Sequence, residues 1–293
     1  MFVIRHKNIF MGATLLLVLA SLFTIFSYGL NLGIDFKGGS ILELEYKDKV
    51  ATVEEVKGAL RALDLGEILV QPFGGQGVLL RLRDITEVEH NNILKALSPA
   101  EEKRFSSIGP VLGSELKRKS FVGISLVVLG IVLYIAFAFR GVSHPVKSWK
   151  YGLVAVATLL HDVIVPTGFY ALLGKLYGYE VDLLFVTSLL AILGFSIHDT
   201  IVVFDRIREN LKLAISKDFS QTVGVSISET MARSINTSLT TLLVLFSLYF
   251  FGGDSTRNFA LVLSVGIVAG TYSSIFLASP LLVSIERWQK KNA

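Results

Sequence analysis

The 293-residue sequence contains no cysteine, which excludes disulfides and every thiolate metal site. It also has no HExxH pattern, and Gly38-Gly39 lacks the GK[ST] ending of a phosphate loop, which argues against a zincin protease and against nucleotide binding. Serines inside the apolar runs lack an acid–base partner pattern, so a hydrolase is the least favoured class. Net charge is low as well: the formal value is +4. Lys and Arg cluster beside apolar runs, so they carry topology information and give no sign of a nucleic-acid surface. What the chain does have is apolar residues. They make up 52% of it, in blocks, with a mean hydropathy of +0.61. That is too apolar for an ordinary soluble protein and points to membrane spans.

Arg5, His6 and Lys7 precede an apolar run at residues 9–28. Signal-peptide apolar regions reach only about 7–15 residues, so this longer run is expected to be a retained first helix. Residues 31–119 are soluble in character. Alternation at 40–47 predicts a strand, and helical spacing at Val53, Val56, Ala59, Leu60 and Leu63 predicts a helix over 51–64. Strands at 67–73 and 76–84 flank Gly74-Gly75, a hairpin signal. A second helix at 86–97 and a short strand near 104–108 complete β-α-β-β-α-β, the ferredoxin-like order. Apolar runs then recur at 121–139, 152–172, from 183, at 238–251 and at 259–283. The fifth helix is short in apolar residues and is expected to begin nearer Arg233.

The expected fold is a polytopic α-helical membrane protein of six helices, with a small α+β domain between helices one and two. Residues 1–30 form the N-terminus and first helix, 31–119 the α+β domain, and 120–293 a five-helix bundle. Arg140, His144, Lys147 and Lys150 lie between helices two and three; Arg206, Arg208, Lys212, Lys217 and Arg233 lie between four and five. Arg287, Lys290 and Lys291 end the chain, whereas the opposite loops hold only Lys175 and Arg257. The positive-inside rule then puts both termini in the cytoplasm and the α+β domain outside.

The strongest functional signal is Asp199, inside the fourth apolar run with His198 beside it. With Asp205 at the surface, Asp199 lies about 9 Å deep at 1.5 Å per residue. Ser188, Ala191, Phe195, Asp199 and Val202 share a face by spacing, with Ala191 small enough for close approach. A buried acid costs at least ~2.5 kcal/mol on insertion scales and usually serves an ion or substrate path; the bland alternative is a carboxylate that only fixes packing. Arg233, Thr237, Thr240 and Thr241 form one polar face of the fifth helix, with Asn236 a further intramembrane polar residue. Arg233 is the expected partner of Asp199; the alternative is an anchor that snorkels to the surface. His161 and Asp162 sit mid-way along the third helix. Adjacent residues point about 100° apart, so they need not face one groove, and a direct proton role for either ranks below Asp199. His198–Asp199 is a weak metal pair without thiolates or clustered histidines. Gly266 and Gly270, with Ser264, Ser273 and Ser274 nearby, read as helix packing.

Five stretches together resemble the SecF family, subunits of the SecD–SecF protein-export complex in the RND superfamily. They are GIDFKGGS (33–40), IGPVLGSELKRKS (108–120), the pair His161–Asp162, GFSIHDTIVVFDRIREN (194–210) and RSINTSLTT (233–241). The first carries the motif residues Asp35, Gly38 and Gly39. The resemblance covers nearly the whole chain. It implies half of a pseudosymmetric twelve-helix unit completed by SecD, in the bacterial cytoplasmic (inner) membrane. It further implies an accessory, non-enzymatic role to the SecYEG channel, with YajC and exported preproteins as further partners and membrane lipid around it. The proton is the coupling ion, with no other cofactor. Asp199 and Arg233 occupy the positions of the family's proton-coupling pair. His198 is a departure, standing where the family usually has asparagine. Two other functions remain open on the residues alone: a proton-coupled exporter of small molecules, and a non-transporting scaffold whose buried charges fix helix packing.

Overall fold

The computed structural model describes residues 2–47, 51–73, 76–138 and 146–291. The Gly74-Gly75 hairpin signal and the basic residues Arg140 and His144 lie outside the described residues. The chain divides into two compact units, Leu32–Phe121 and Met1–Asn31 with Val122–Ala293.

In the smaller unit, four strands form one antiparallel sheet: β1 (Gly39–Glu45), β2 (Leu69–Phe73), β3 (Gly77–Leu82) and β4 (Glu101–Ile108), in the order β2-β3-β1-β4. With helices Val53–Leu60 and Glu87–Ala96 between strands, this is the ferredoxin-like arrangement. Each helix starts at a reciprocal capping box, Thr52 with Glu55 and Thr86 with Glu89, so local sequence fixes where each begins. Alternation then turns Leu42, Leu44, Val78 and Leu80 inward against Val56, Leu60 and Ile93, and all of these are buried. β4 starts at Glu101, earlier than expected. Its first half is exposed and lacks alternation. Ion pairs with the β1 side hold it instead, Lys103 to Glu45 at 2.6 Å and Lys47 to Glu101 at 2.5 Å.

Six helices among the described residues are long and apolar enough to cross a membrane. They are Lys7–Tyr28, Pro110–Ala138, Ser148–Tyr177, Leu183–Lys212, Phe219–Phe251, and a sixth that runs Asp254–Ser273, passes through a π segment at Ser274–Ala278 and ends as Ser279–Lys291. Two begin well before their apolar runs. The second starts at Pro110, a residue suited to the first helical turn. Its early turns are charged, with Glu115 and Lys119 paired at 2.9 Å along one face, so hydropathy does not register them. The fifth starts at Phe219, capped by Asp218, not near Arg233 as expected. Its opening turns bury Phe219, Val223 and Ile227 among serines and threonines, an amphipathic pattern that hydropathy averages away.

The sixth helix packs against the third, fourth and fifth, and the first packs against the third. Small residues set these approaches. A Cβ on Gly168 would fall 2.5 Å from Ser21 Cα, and the Gly168 carbonyl accepts a 2.8 Å bond from Thr24 Oγ1. Gly266 and Gly270 of the sixth helix face Ile192 and Ser196 of the fourth, where added Cβ atoms would stand 2.1 and 2.9 Å from side-chain carbons.

Candidate functional site

The glycine pair of the sixth helix decides which face of the fourth turns inward. Three-and-four spacing through Asp199 also fits a stripe adjacent to the expected one of Ala191, Phe195 and Val202. Ala191 is exposed, and Phe195 and Val202 are only half-buried. The buried stripe runs through Ser188, Ile192, Ser196, Asp199 and Val203, because Gly266 and Gly270 leave room for Ile192 and Ser196. Asp199 is 3% exposed on either reading.

Asp199 stands where the fourth, fifth and sixth helices meet. The hydroxyls of Ser234 and Thr271, one from each neighbouring helix, lie close enough to act on its carboxylate, as does the adjacent His198 side chain. Yet Asp199 Oδ2 and Ser234 Oγ are both buried without a hydrogen-bond partner. Thr271 is already engaged, its Oγ1 lying 2.5 Å from Ser238 Oγ. The carboxylate is therefore enclosed but not satisfied, an expensive state in an apolar medium.

Arg233, the expected partner, precedes Ser234 by one residue and points elsewhere. It is exposed, and among the described residues it makes no ion pair with Asp199. Asn236 and Thr240 are exposed beside it, and Thr237 and Thr241 are half-buried. The Thr240 and Thr241 hydroxyls both donate to the Thr237 carbonyl at 2.9 Å. That satisfies the threonines locally and leaves Arg233 and Asn236 turned outward. His198 is exposed as well. Among the described residues no group of three or more His, Cys, Asp or Glu could hold a metal ion.

A second polar centre differs in kind. His161 and Asp162 do face one groove: Nδ1 and Oδ1 are 2.8 Å apart, and the residues are 3% and 0% exposed. Asp162 Oδ2 also accepts from Ser196, through a short bond, and from Ser273 at 3.0 Å. Third, fourth and sixth helices are thereby tied at one carboxylate. The His161 Nε2 atom is buried without a partner. Next to this centre, Thr200 meets Ser274 at 2.8 Å at the start of the π segment. Neither Ser196 nor its bond to Asp162 was apparent in the sequence, where a serine in an apolar helix carries no distinctive signal.

Beyond Asp199 the fourth and fifth helices are clamped by charge. Glu229 accepts from Arg206 Nε and Asn210 Nδ2, both at 2.7 Å, and Asn210 also donates to Ser226 at 3.0 Å. Asn210 and Glu229 also went unremarked, since an acid in a charged helix end is usually a solvated one. In the smaller unit, Asp35 lies on the short helix Ile34–Lys37, followed by Gly38 and Gly39 at φ 77° and 130°. A Cβ on either would fall 2.8 Å from backbone, of Pro110 or of Leu82, so this turn requires glycine twice.

Comparison with known proteins accords with these features. The family model described as protein export membrane protein SecD/SecF, C-terminal, matches residues 89–288, and the SecD/SecF GG motif matches residues 23–50. The protein translocase subunit SecF of Thermobaculum terrenum is 44% identical over 99% of this chain and 94% of its own. That of Pseudomonas aeruginosa is 36% identical over 94% of this chain and 89% of its own. A crystal structure of SecDF from Thermus thermophilus, described as a translocon-associated membrane protein, superposes with a TM-score of 0.82 at 32% identity. The match covers 99% of this chain but only 38% of that longer one. Two family models, full-length relatives and a common fold agree: the chain belongs to the SecF family of multi-pass membrane proteins.

Proposed function

We propose that this chain is the SecF half of a SecD–SecF unit. In this reading the unit draws on the proton-motive force to promote late-stage translocation of exported proteins across the bacterial inner membrane, with Asp199 as the proton-accepting group. The observation that carries the reading is the asymmetry around Asp199. One oxygen of its buried carboxylate, Oδ2, lacks a hydrogen-bond partner, while on the adjacent helix Arg233, Asn236 and Thr240 turn outward from the chain. An arginine at a lipid-facing position of a membrane helix costs ~2.5–3.5 kcal/mol even on insertion scales. A second polypeptide covering that face removes the cost and closes the site. SecD supplies that cover, so that Asp199 and Arg233 come to share one enclosed space at the interface between the halves.

The chemistry follows from charge in low dielectric. An ionised Asp199 attracts Arg233 and resists separation of the two helices. Arrival of a proton removes that attraction and lets the fourth and fifth helices shift against the partner half. One charge crossing 100 mV is worth about 2.3 kcal/mol, enough to move a two-state equilibrium roughly fortyfold. Both termini are assigned to the cytoplasm and residues 31–119 to the extracytoplasmic side, where the α+β domain would hold or release an emerging preprotein. SecYEG and YajC are the partners proposed for the assembled machine, with the proton as coupling ion and no catalysed covalent step.

The test is proton-gradient-dependent translocation of a secreted protein into inverted vesicles, with wild type and Asp199→Asn at matched levels of both halves. Only the wild type is expected to respond to the gradient. An equal response by the Asn variant would remove Asp199 from the coupling and leave a scaffold.

A further inference from the structure

A different part of the membrane unit carries a cluster of positive charge that the proton site does not use. Arg5, Lys7 and Arg287 line a cavity of 510 Å³ between the start of the first helix, the start of the fifth and the end of the sixth. Lys7 and Arg287 are near enough to repel each other. Among the described residues none of the three is ion-paired; Lys7 Nζ instead donates to Ser284 Oγ at 3.0 Å and Arg287 to Ser220 Oγ at 3.3 Å. The carboxylate at the cavity, Asp218, accepts the Ser220 amide at 3.1 Å as the cap of the fifth helix. The nearby acid Glu286 is paired with Lys290. Three unpaired cations therefore converge on one opening.

The level of this cavity is marked independently. The chain has two tryptophans, Trp149 and Trp288, 59% and 64% exposed, and both contact Lys150, whose Nζ is 5.5 and 5.7 Å from the two rings. Exposed tryptophans at helix ends mark the headgroup region of a bilayer, and Trp288 follows Arg287 directly.

From this charged opening the surface turns apolar in one direction. Ile4 is shared with a groove of 400 Å³ formed with Phe2, Phe10, Ile227, Met231 and Phe276. Met231 and Phe276 are shared in turn with a further groove of 290 Å³ along the fifth and sixth helices, past Ile235, Leu239 and Val268. A cationic mouth at headgroup level that leads into two connected apolar sections matches an amphiphile with an anionic head and a long acyl chain.

We infer that this groove is a binding site for an anionic phospholipid, its phosphate held by Arg5, Lys7 and Arg287 and one acyl chain lying along Ile4, Met231 and Phe276. A free phosphate would use the mouth and leave the apolar sections empty. A partner helix would use the apolar sections and leave the three cations unpaired. The lipid alone accounts for both.

The test is binding of phosphatidylglycerol to the purified full chain in neutral detergent, read by native mass spectrometry, with phosphatidylcholine as the neutral control and inorganic phosphate as the free-anion competitor. The wild type should retain phosphatidylglycerol in preference to phosphatidylcholine. Arg5→Gln with Arg287→Gln should weaken retention about thirtyfold, from the attraction of two basic residues. Ser228 lines the 400 Å³ groove and is exposed, so Ser228→Trp fills the groove and leaves the cations intact; it should weaken retention roughly tenfold by displacing about two methylenes of chain. Helix content and melting temperature of each variant establish that it is folded. Equal retention by the double variant, or full displacement by phosphate with no effect of Ser228→Trp, overturns the lipid assignment. So does loss of the lipid when SecD is co-purified, which would make the groove a subunit interface.

Discussion

Two of the buried acids of the membrane unit, Asp162 and Asp199, have opposite surroundings. Asp162 is fully buried and accepts from His161, Ser196 and Ser273, which draw three helices together. Asp199 is nearly as buried, but one of its oxygens has no partner, and the basic residue nearest in sequence on the facing helix turns away. Burial alone therefore does not distinguish the two carboxylates; satisfaction of their oxygens does. A carboxylate with both oxygens engaged ties together the helices that hold it, even though His161 Nε2 stays buried without a partner. An enclosed and unsatisfied acid is a cost the fold carries for another reason.

Removal of each carboxylate in the isolated chain tests this contrast with the largest expected effect. Asp162→Leu strands His161, Ser196 and Ser273 and should cost about 3–5 kcal/mol, read as a lowered melting temperature in detergent. Asp199→Leu should cost nothing or stabilise, since it removes a buried group that has little compensation. Equal losses would erase the distinction. Next in size is Gly270→Ala. Its Cβ would stand 2.9 Å from Ser196 Cβ and push the fourth helix from the sixth, at about 1–3 kcal/mol. Because Ser196 serves Asp162 and lies one turn before Asp199, both sites should loosen together. Arg233→Gln should change the stability of the isolated chain by less than about 0.5 kcal/mol, as an exposed residue, yet abolish the gradient response once SecD is present. A large loss in the isolated chain would mean that Arg233 already serves this fold.

An acid in water sets the lower bound of the comparison. Glu89 of the α+β domain is held down to about 2 by hydrogen bonds from Arg83 and then from the Thr86 backbone and hydroxyl. Its contribution to stability is complete above its ordinary value of 4.5 and is lost as pH falls through about 2. Arg83→Gln should return the carboxyl toward the ordinary value in a carbon NMR titration of the full chain. The change in stability should be small, because the pair is exposed.

The sequence located what depends on a single segment. Apolar length revealed six spans, alternation and helical spacing revealed the α+β domain, and Asp199 declared itself by being an acid in an apolar run. Hidden were features that depend on two segments at once. Which stripe of the fourth helix faces inward is set by Gly266 and Gly270, sixty or more residues away. The early starts of the second and fifth helices are masked because charged or hydroxyl-bearing turns lower the hydropathy of real helix. Ser196 and Glu229 became informative only beside their partners, Asp162 and Arg206. The direction of Arg233 was the hardest to read, since Ser234, one residue later, is the residue buried on the side of Asp199.

Whether another polypeptide covers the polar face beside Asp199 is read directly by photo-crosslinking. A benzophenone amino acid at Asn236 is compared with one at Leu16, an exposed apolar position of the first helix (68% exposed), in membranes that contain SecD. The account predicts a covalent adduct with SecD from position 236 and lipid adducts alone from position 16. Lipid adducts alone from position 236 would contradict it, and would leave Asp199 without the partner surface that the proposed role requires.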